Sequence, residues 1–292
     1  MYKIRFGPSG NSESFYADGN KSTEQAAKWL ADKGLDAFEY SFGRGTKMSD
    51  EKAEKIREKM SEYDVAVSAH APYYINFANP SDEMIEKSFM YVLNTAEKVK
   101  KMGGNRVIFH PASMGKETDR KAVVKRTYDN ILRLTEKIYQ SGYNDVIFCP
   151  ETMGKINQIG DFNEVAEFCS IDKIYIPTVD FGHQNARTLG GLKTEEDFEQ
   201  VIKCFIDAIG IERTRLMHIH FSKIEYSKGG EVKHLTFDTD DLKYGPDFEP
   251  LAKIIKKYQM TPRVICESAG TQAEDSLAMK QIYEATKWQF SI

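Results

Sequence analysis

Residues 65–110 read VAVSAHAPYYINFANPSDEMIEKSFMYVLNTAEKVKKMGGNRVIFH. Val65 to Ala69 is a short β-branched run, and Ser81 to Met102 repeats its apolar residues at helical spacing behind a serine cap and an acidic first turn. Arg106 to Phe109 is a second short run, so the segment reads as strand, helix, strand. Each strand stops on a histidine, His70 and His110. Working outward, the same reading places strands at Tyr2 to Phe6, Ala37 to Tyr40, Val146 to Cys149, Ile174 to Val179, Leu216 to Ile219 and Val264 to Cys266. Helices are expected over Ser22 to Lys33, Asp50 to Tyr63, Thr118 to Tyr139, Thr194 to Ile209 and Ala273 to Trp288, with Ser22, Ser49, Ser81 and Thr194 as N-caps. Strands alternating with helices predict an α/β fold, a (β/α)8 TIM barrel, as one domain over residues 1–292. An open doubly wound sheet would carry a glycine-rich phosphate loop after its first strand, and none is present.

The chain has 292 residues, 41% hydrophobic and 29% charged, enough for one large core. No apolar run approaches the roughly 18 residues that a membrane span needs. The opening MYKIRFGPSGNSESF has the pattern of neither a secretion nor an organelle signal, so a cytoplasmic protein is expected. Cys149, Cys169, Cys204 and Cys266 lie far apart without a CxxC pair and read as buried free thiols. A net charge of −4 argues against gripping nucleic acid through the overall field, although bound divalent ions would add positive charge locally. Nothing in the sequence calls for a membrane or an obligate protein partner.

All six histidines sit at an expected strand end or in the loop after it, and none is expected in a helix. His70 and His110 end their strands, His183 follows Asp180, His218 and His220 lie in LMHIH, and His234 lies in the loop beyond. Glu151, Asp180 and Glu267 end or follow three further strands. In a barrel these ends form one face, so the third to eighth strands would bring their ligands together. Taken singly, a histidine at a strand end is an ordinary framework residue; six consecutive strands each delivering a histidine or carboxylate point to metal. Imidazoles and carboxylates without thiolates suit zinc, manganese or iron. His220, on the same side of the pleat as His218, reads equally as a supporting residue and as packing.

HAPYYIN at His70, FHPAS at His110, PETMG at Glu151, DFGH at Asp180 and His183, MHIH at His218 and CESAG at Glu267 resemble the endonuclease IV family of zinc-dependent apurinic/apyrimidinic (AP) endonucleases. The resemblance covers the chain from the third strand onward. It implies hydrolysis of the DNA backbone 5′ to abasic sites in DNA repair, with damaged double-stranded DNA as partner. It also implies two or three zinc ions: one on His70, His110 and Glu151, one on Glu151 with Asp180, His218 and Glu267, and one on His183 and His234. Glu151 and Glu267 become the catalytic carboxylates, Glu267 orienting the attacking water. Tyr73 and Arg44 match side chains that contact the DNA. The family's third ion takes an Asp two residues before its second histidine; Val232 stands there, with Glu231 beside it as a substitute.

A xylose isomerase-like sugar isomerase or epimerase is the alternative, since Glu151, Asp180, His218 and Glu267 would hold its single divalent metal. His70, His110 and His234, which such an enzyme does not need as ligands, favour the nuclease. A barrel that binds nucleic acid or sugar without chemistry is a third reading, marked by salt-dependent binding without cleavage.

Overall fold

Eight short strands carry the architecture of the computed structural model, which describes residues 3–240 and 243–287. They are β1 (Arg5–Pro8), β2 (Ala37–Ser41), β3 (Ala66–His70), β4 (Arg106–Phe109), β5 (Ile147–Pro150), β6 (Thr178–Asp180), β7 (His218–Phe221) and β8 (Arg263–Cys266). Parallel pairing joins them in the orders β1-β8-β7-β6 and β2-β3-β4-β5. Parallel bridges Ser9↔Glu39 and Glu151↔Thr178 then link the two halves on both sides, which closes a barrel in chain order.

Every expected strand is present, but most reach one or more residues further toward the C-terminus than the apolar pattern implied. His70 closes β3, Asp180 closes β6 and His220 lies within β7. Their side chains are polar because they face the mouth, while their backbones still pair in the ladder. The six expected helices form around the barrel, with Ser22 to Lys33 divided into a 3-10 turn, Thr23–Gln25, and a helix, Ala26–Asp32. Tyr2 and Trp288, which bounded two of the expected segments, lie outside the described residues. Ser49 and Thr194 accept hydrogen bonds from the N–H groups of Lys52 and Asp197, whereas Ser81 sits at its cap position without accepting one. Helices Phe162–Ser170 and Glu249–Lys257 complete the ring and were not anticipated. At nine residues each they are too short for periodicity to decide.

Most of the apolar core fills the space between barrel and helices, with Phe6, Phe38, Phe89, Phe109, Phe148, Phe198 and Phe205 all buried. The barrel's interior is different. Arg106 at the floor donates across it to the carbonyls of Leu216 and Met217, and Glu39 of β2 meets His218 of β7. Among the described residues Ile108, Cys149 and Ile176 form a separate small apolar cluster, with Ile147 against it. Cys149, Cys169 and Cys266 are buried free thiols, but Cys204 is half-buried and its thiol contacts Asn163, which corrects the expectation of four buried cysteines. No helix among the described residues is long and apolar enough to cross a membrane.

Closure between β1 and β2 depends on Gly7, where an added Cβ would lie 1.7 Å from the carbonyl oxygen of Ala37. Both groups are backbone, so neither can swing aside. Gly7→Ala is therefore expected to cost about 3 kcal/mol or more, read as a lower urea midpoint at unchanged slope.

Candidate metal centre

The strand ends deliver their side chains to one cavity of about 580 Å³, lined among others by His70, His110, Glu151, His183, Glu231, His234 and Glu267. Glu151, the residue after β5, is at its centre and is 1% exposed. Its Oε2 lies 3.0 Å from His70 Nε2 and 3.1 Å from His110 Nε2, and its Oε1 lies 3.1 Å from His220 Nδ1. Among the described residues four groups that could hold an ion have donor atoms within 4.8 Å of one another: His70, His110 and Glu151; Glu151, Asp180, His220 and Glu267; His183, Glu231 and His234; and, deeper in the barrel, Glu39, His218 and His220.

The first group forms as expected. The second differs in one residue: His220 occupies the place assigned to His218. Both rings point into the barrel, but two residues along a strand is about 6.6 Å, which sets His220 a layer nearer the mouth. His218 remains below, fully buried, with Nε2 2.9 Å from Glu39 and Nδ1 3.4 Å from Arg106.

The third group also has a local cause. Strands Lys223–Ser227 and Gly230–Leu235 form an antiparallel hairpin, in which Glu225 pairs with Lys233 but Tyr226 pairs with Glu231. Val232 is thus the extra residue of a β-bulge, which shifts the alternation so that Glu231 and His234 share the inward side. Val232 points out, 50% exposed. Glu231 Oε2 lies 3.5 Å from His183 Nε2, and Ser222 shares a 2.8 Å hydrogen bond with His234 Nδ1. Glu231, next to Val232, joins His183 and His234 in that group. His234 lies in a hairpin strand and not in a loop. His183 corrects the expectation that no histidine is helical, since it sits in the short helix Phe181–Arg187 capped by Asp180, whose Oδ1 accepts from the His183 N–H at 2.7 Å.

Tyr73 stands at the rim, 60% exposed, its ring centroid 6.0 Å from His70 and 5.7 Å from His110. Arg44 is exposed and is not among the residues lining the cavity. Glu39, fully buried in β2, went unnoticed in the sequence.

The donor set fits divalent cations. Asp180 is wholly buried, and its Oδ2 has no hydrogen-bond partner. Glu151, Asp180 and Glu267 crowd one group, and burial with the neighbouring Glu267 and Glu151 raises the Asp180 carboxyl despite His183. Burial opposes charge on Glu151 as well, yet His220, His110 and His70 hold it well below the ordinary range. Burial likewise disfavours protonated His70 and His183, but Glu151 beside the one, and Asp180 and Glu231 beside the other, lift both to about 9. Burial prevails at His110, which is lowered, and at His218, pushed down to about 3.

His70 and His183 thus have folded values above the unfolded 6.5, so their stabilisation is complete below about pH 6.5 and is lost as the pH rises through about 9. The chelated protein is expected to melt at progressively lower temperature from pH 6.5 to 9. A flat profile by calorimetry would contradict these placements.

Residues 27–287 match the family model for xylose isomerase-like TIM barrels. The uncharacterized protein MJ0133 of Methanocaldococcus jannaschii is 32% identical over 246 residues, 84% of this chain and 86% of its own. A probable endonuclease 4 of Staphylococcus carnosus is 27% identical over 213 residues, 68% of this chain and 69% of its own. A D-tagatose 3-epimerase-like protein of known structure superposes with a TM-score of 0.71 at 16% identity, covering 96% of this chain and 97% of that one, a likeness of fold. Closed parallel barrel, ligands at the strand ends and a match over nearly the whole length agree: the chain belongs to the xylose isomerase-like TIM barrel family.

Proposed function

We propose that the protein is a metal-dependent phosphodiesterase resembling endonuclease IV, hydrolysing the DNA backbone 5′ to apurinic/apyrimidinic sites. The supporting observation is that three ligand groups, two of them sharing Glu151, open into one cavity. His70, His110 and Glu151 would hold one ion, Glu151, Asp180, His220 and Glu267 a second, and His183, Glu231 and His234 a third. Zinc suits these nitrogen and oxygen donors, and manganese or iron would also be accepted. The bound ions would supply Lewis acidity and neutralise charge on the phosphodiester.

The chain's own groups divide the remaining work. Glu267 lines the cavity with its side chain 18% exposed and lies only 3.6 Å from His220, so it can orient a water and take its proton. Glu151 cannot do so, because its oxygens face His70, His110 and His220; it holds the ligands in register. Tyr73 offers a ring face on which a base or sugar can stack.

The group of Glu151, Asp180, His220 and Glu267 would also serve a one-metal sugar epimerase. That reading needs two glutamates with oxygens free to exchange a proton with the substrate, and Glu151 is committed on both oxygens. The test sets metal-loaded protein against duplex DNA with one abasic site and, separately, against a ketohexose. Cleavage 5′ to the site, lost in His110→Ala, is expected; epimerisation without cleavage overturns the proposal.

A further inference from the structure

The sequence assigns no ligand to β2, yet the middle of that strand carries Glu39, a carboxylate with no exposure at all. An isolated buried carboxylate is costly, so what surrounds it must compensate. Its Oε2 accepts a hydrogen bond from the Ser68 hydroxyl at 2.9 Å and lies 2.9 Å from His218 Nε2; its Oε1 lies 2.9 Å from His220 Nε2. The two imidazole contacts are bent away from good hydrogen-bond geometry, so attraction between partly charged groups accounts for them more than alignment does. Behind His218 stands Arg106, whose guanidinium is 3.4 Å from Nδ1. A polar line thus runs up the barrel from Arg106 through His218 and Glu39 to His220, which belongs to the ligand group above.

We propose that Glu39 is the positioning residue that fixes the ring of His220, so that Nδ1 and not Nε2 is the nitrogen offered to an ion. This rests on the metal-centre reading given above. A neutral imidazole has one N–H and one lone pair, and a carboxylate can only accept. Carboxylate oxygens face both nitrogens, Glu39 Oε1 at Nε2 and Glu151 Oε1 with Glu267 Oε1 at Nδ1, so a lone pair on either side is repelled unless a cation lies between. The Nδ1 side belongs to the group with Glu151, Asp180 and Glu267, so an ion there takes the Nδ1 lone pair and the N–H stays on Nε2, toward Glu39. A carboxylate behind an imidazole also raises the basicity of its far nitrogen and locks the ring's orientation. Ser68 and His218, which touch Glu39 and not the cavity, hold the carboxylate in place. His218 accordingly acts from behind the site, in the deeper group that it forms with Glu39 and His220.

A long-range proton–nitrogen correlation spectrum of the zinc-loaded, nitrogen-15-labelled protein reports the tautomer directly. His220 protonated on Nε2, with Nδ1 shifted by the ion, is the expected result; protonation on Nδ1 overturns the proposal without any substitution that might unfold the chain. Cobalt titration followed by its visible absorption gives the second readout. Glu39→Gln should bind about 10- to 100-fold more weakly, with altered bands, and His218→Gln, which removes one support of the carboxylate and leaves Ser68, should weaken binding by less. Wild-type cobalt uptake together with unchanged affinity and spectrum in Glu39→Gln overturns the role of Glu39 alone. Absence of uptake by the wild-type protein overturns the metal-centre reading and this proposal with it.

Discussion

Glu151→Gln is expected to lower kcat/KM on abasic duplex DNA about a thousandfold or more, and to leave at most the ion of His183, Glu231 and His234 bound. The substitution keeps the shape of the side chain and removes its charge. An amide has one acceptor oxygen, so it cannot face His70 and His110 with one atom and His220 with the other as Glu151 does. Two ligand groups lose their common member at once. Removing one partner of a buried charge pair costs about 3–5 kcal/mol, so the metal-free variant should also melt earlier than the metal-free wild type. Elemental analysis and cleavage kinetics on the same preparation check both statements. Activity within tenfold of wild type would remove Glu151 from the centre of the chemistry.

Chelation is expected to have the second largest effect. Crowding Glu151, Asp180 and Glu267 into one group, with an Asp180 oxygen that no hydrogen bond satisfies, is unfavourable without cations. Ions held at about a thousand times their dissociation constant add about 4 kcal/mol to the folded state. For a chain of this size that is roughly 6–7 °C in Tm. Scanning calorimetry before and after EDTA treatment, with recovery on adding zinc, measures it. An unchanged Tm would mean that the ligand groups hold no ion in the folded protein.

How far the sequence could be read follows from where each residue stands. His70, His110, Glu151, Asp180 and Glu267 were legible because each lies at the C-terminal edge of an apolar run, and the barrel rule then brings them together. Glu39 was missed because a single charge inside AFEYS looks like the polar face of an ordinary strand. Parallel barrel strands are covered on both sides, so a charged residue in mid-strand was itself the signal. The choice between His218 and His220 depended on depth along β7, which side-chain alternation cannot give since both share a face. Val232 pointed to a lost ligand only while the hairpin was taken as regular; a bulge is not visible in EVKH. The helical placement of His183 was recoverable, since Asp180 and His183 have the spacing of an N-cap and the N–H it accepts.

The polar line through the barrel has a consequence for the sequence of events at the mouth. Arg106 is buried and Arg263 half-buried near the floor, while Glu231 and Glu267 line the cavity above the buried Glu151. The guanidiniums lie too deep to serve a ligand at the mouth, where carboxylates are interleaved with Lys155 and with the His70 and His183 rings held up at about 9. On the proposed function, cations bound there would add to the positive side of that balance. Ion loading would then be the step that favours entry of a phosphodiester.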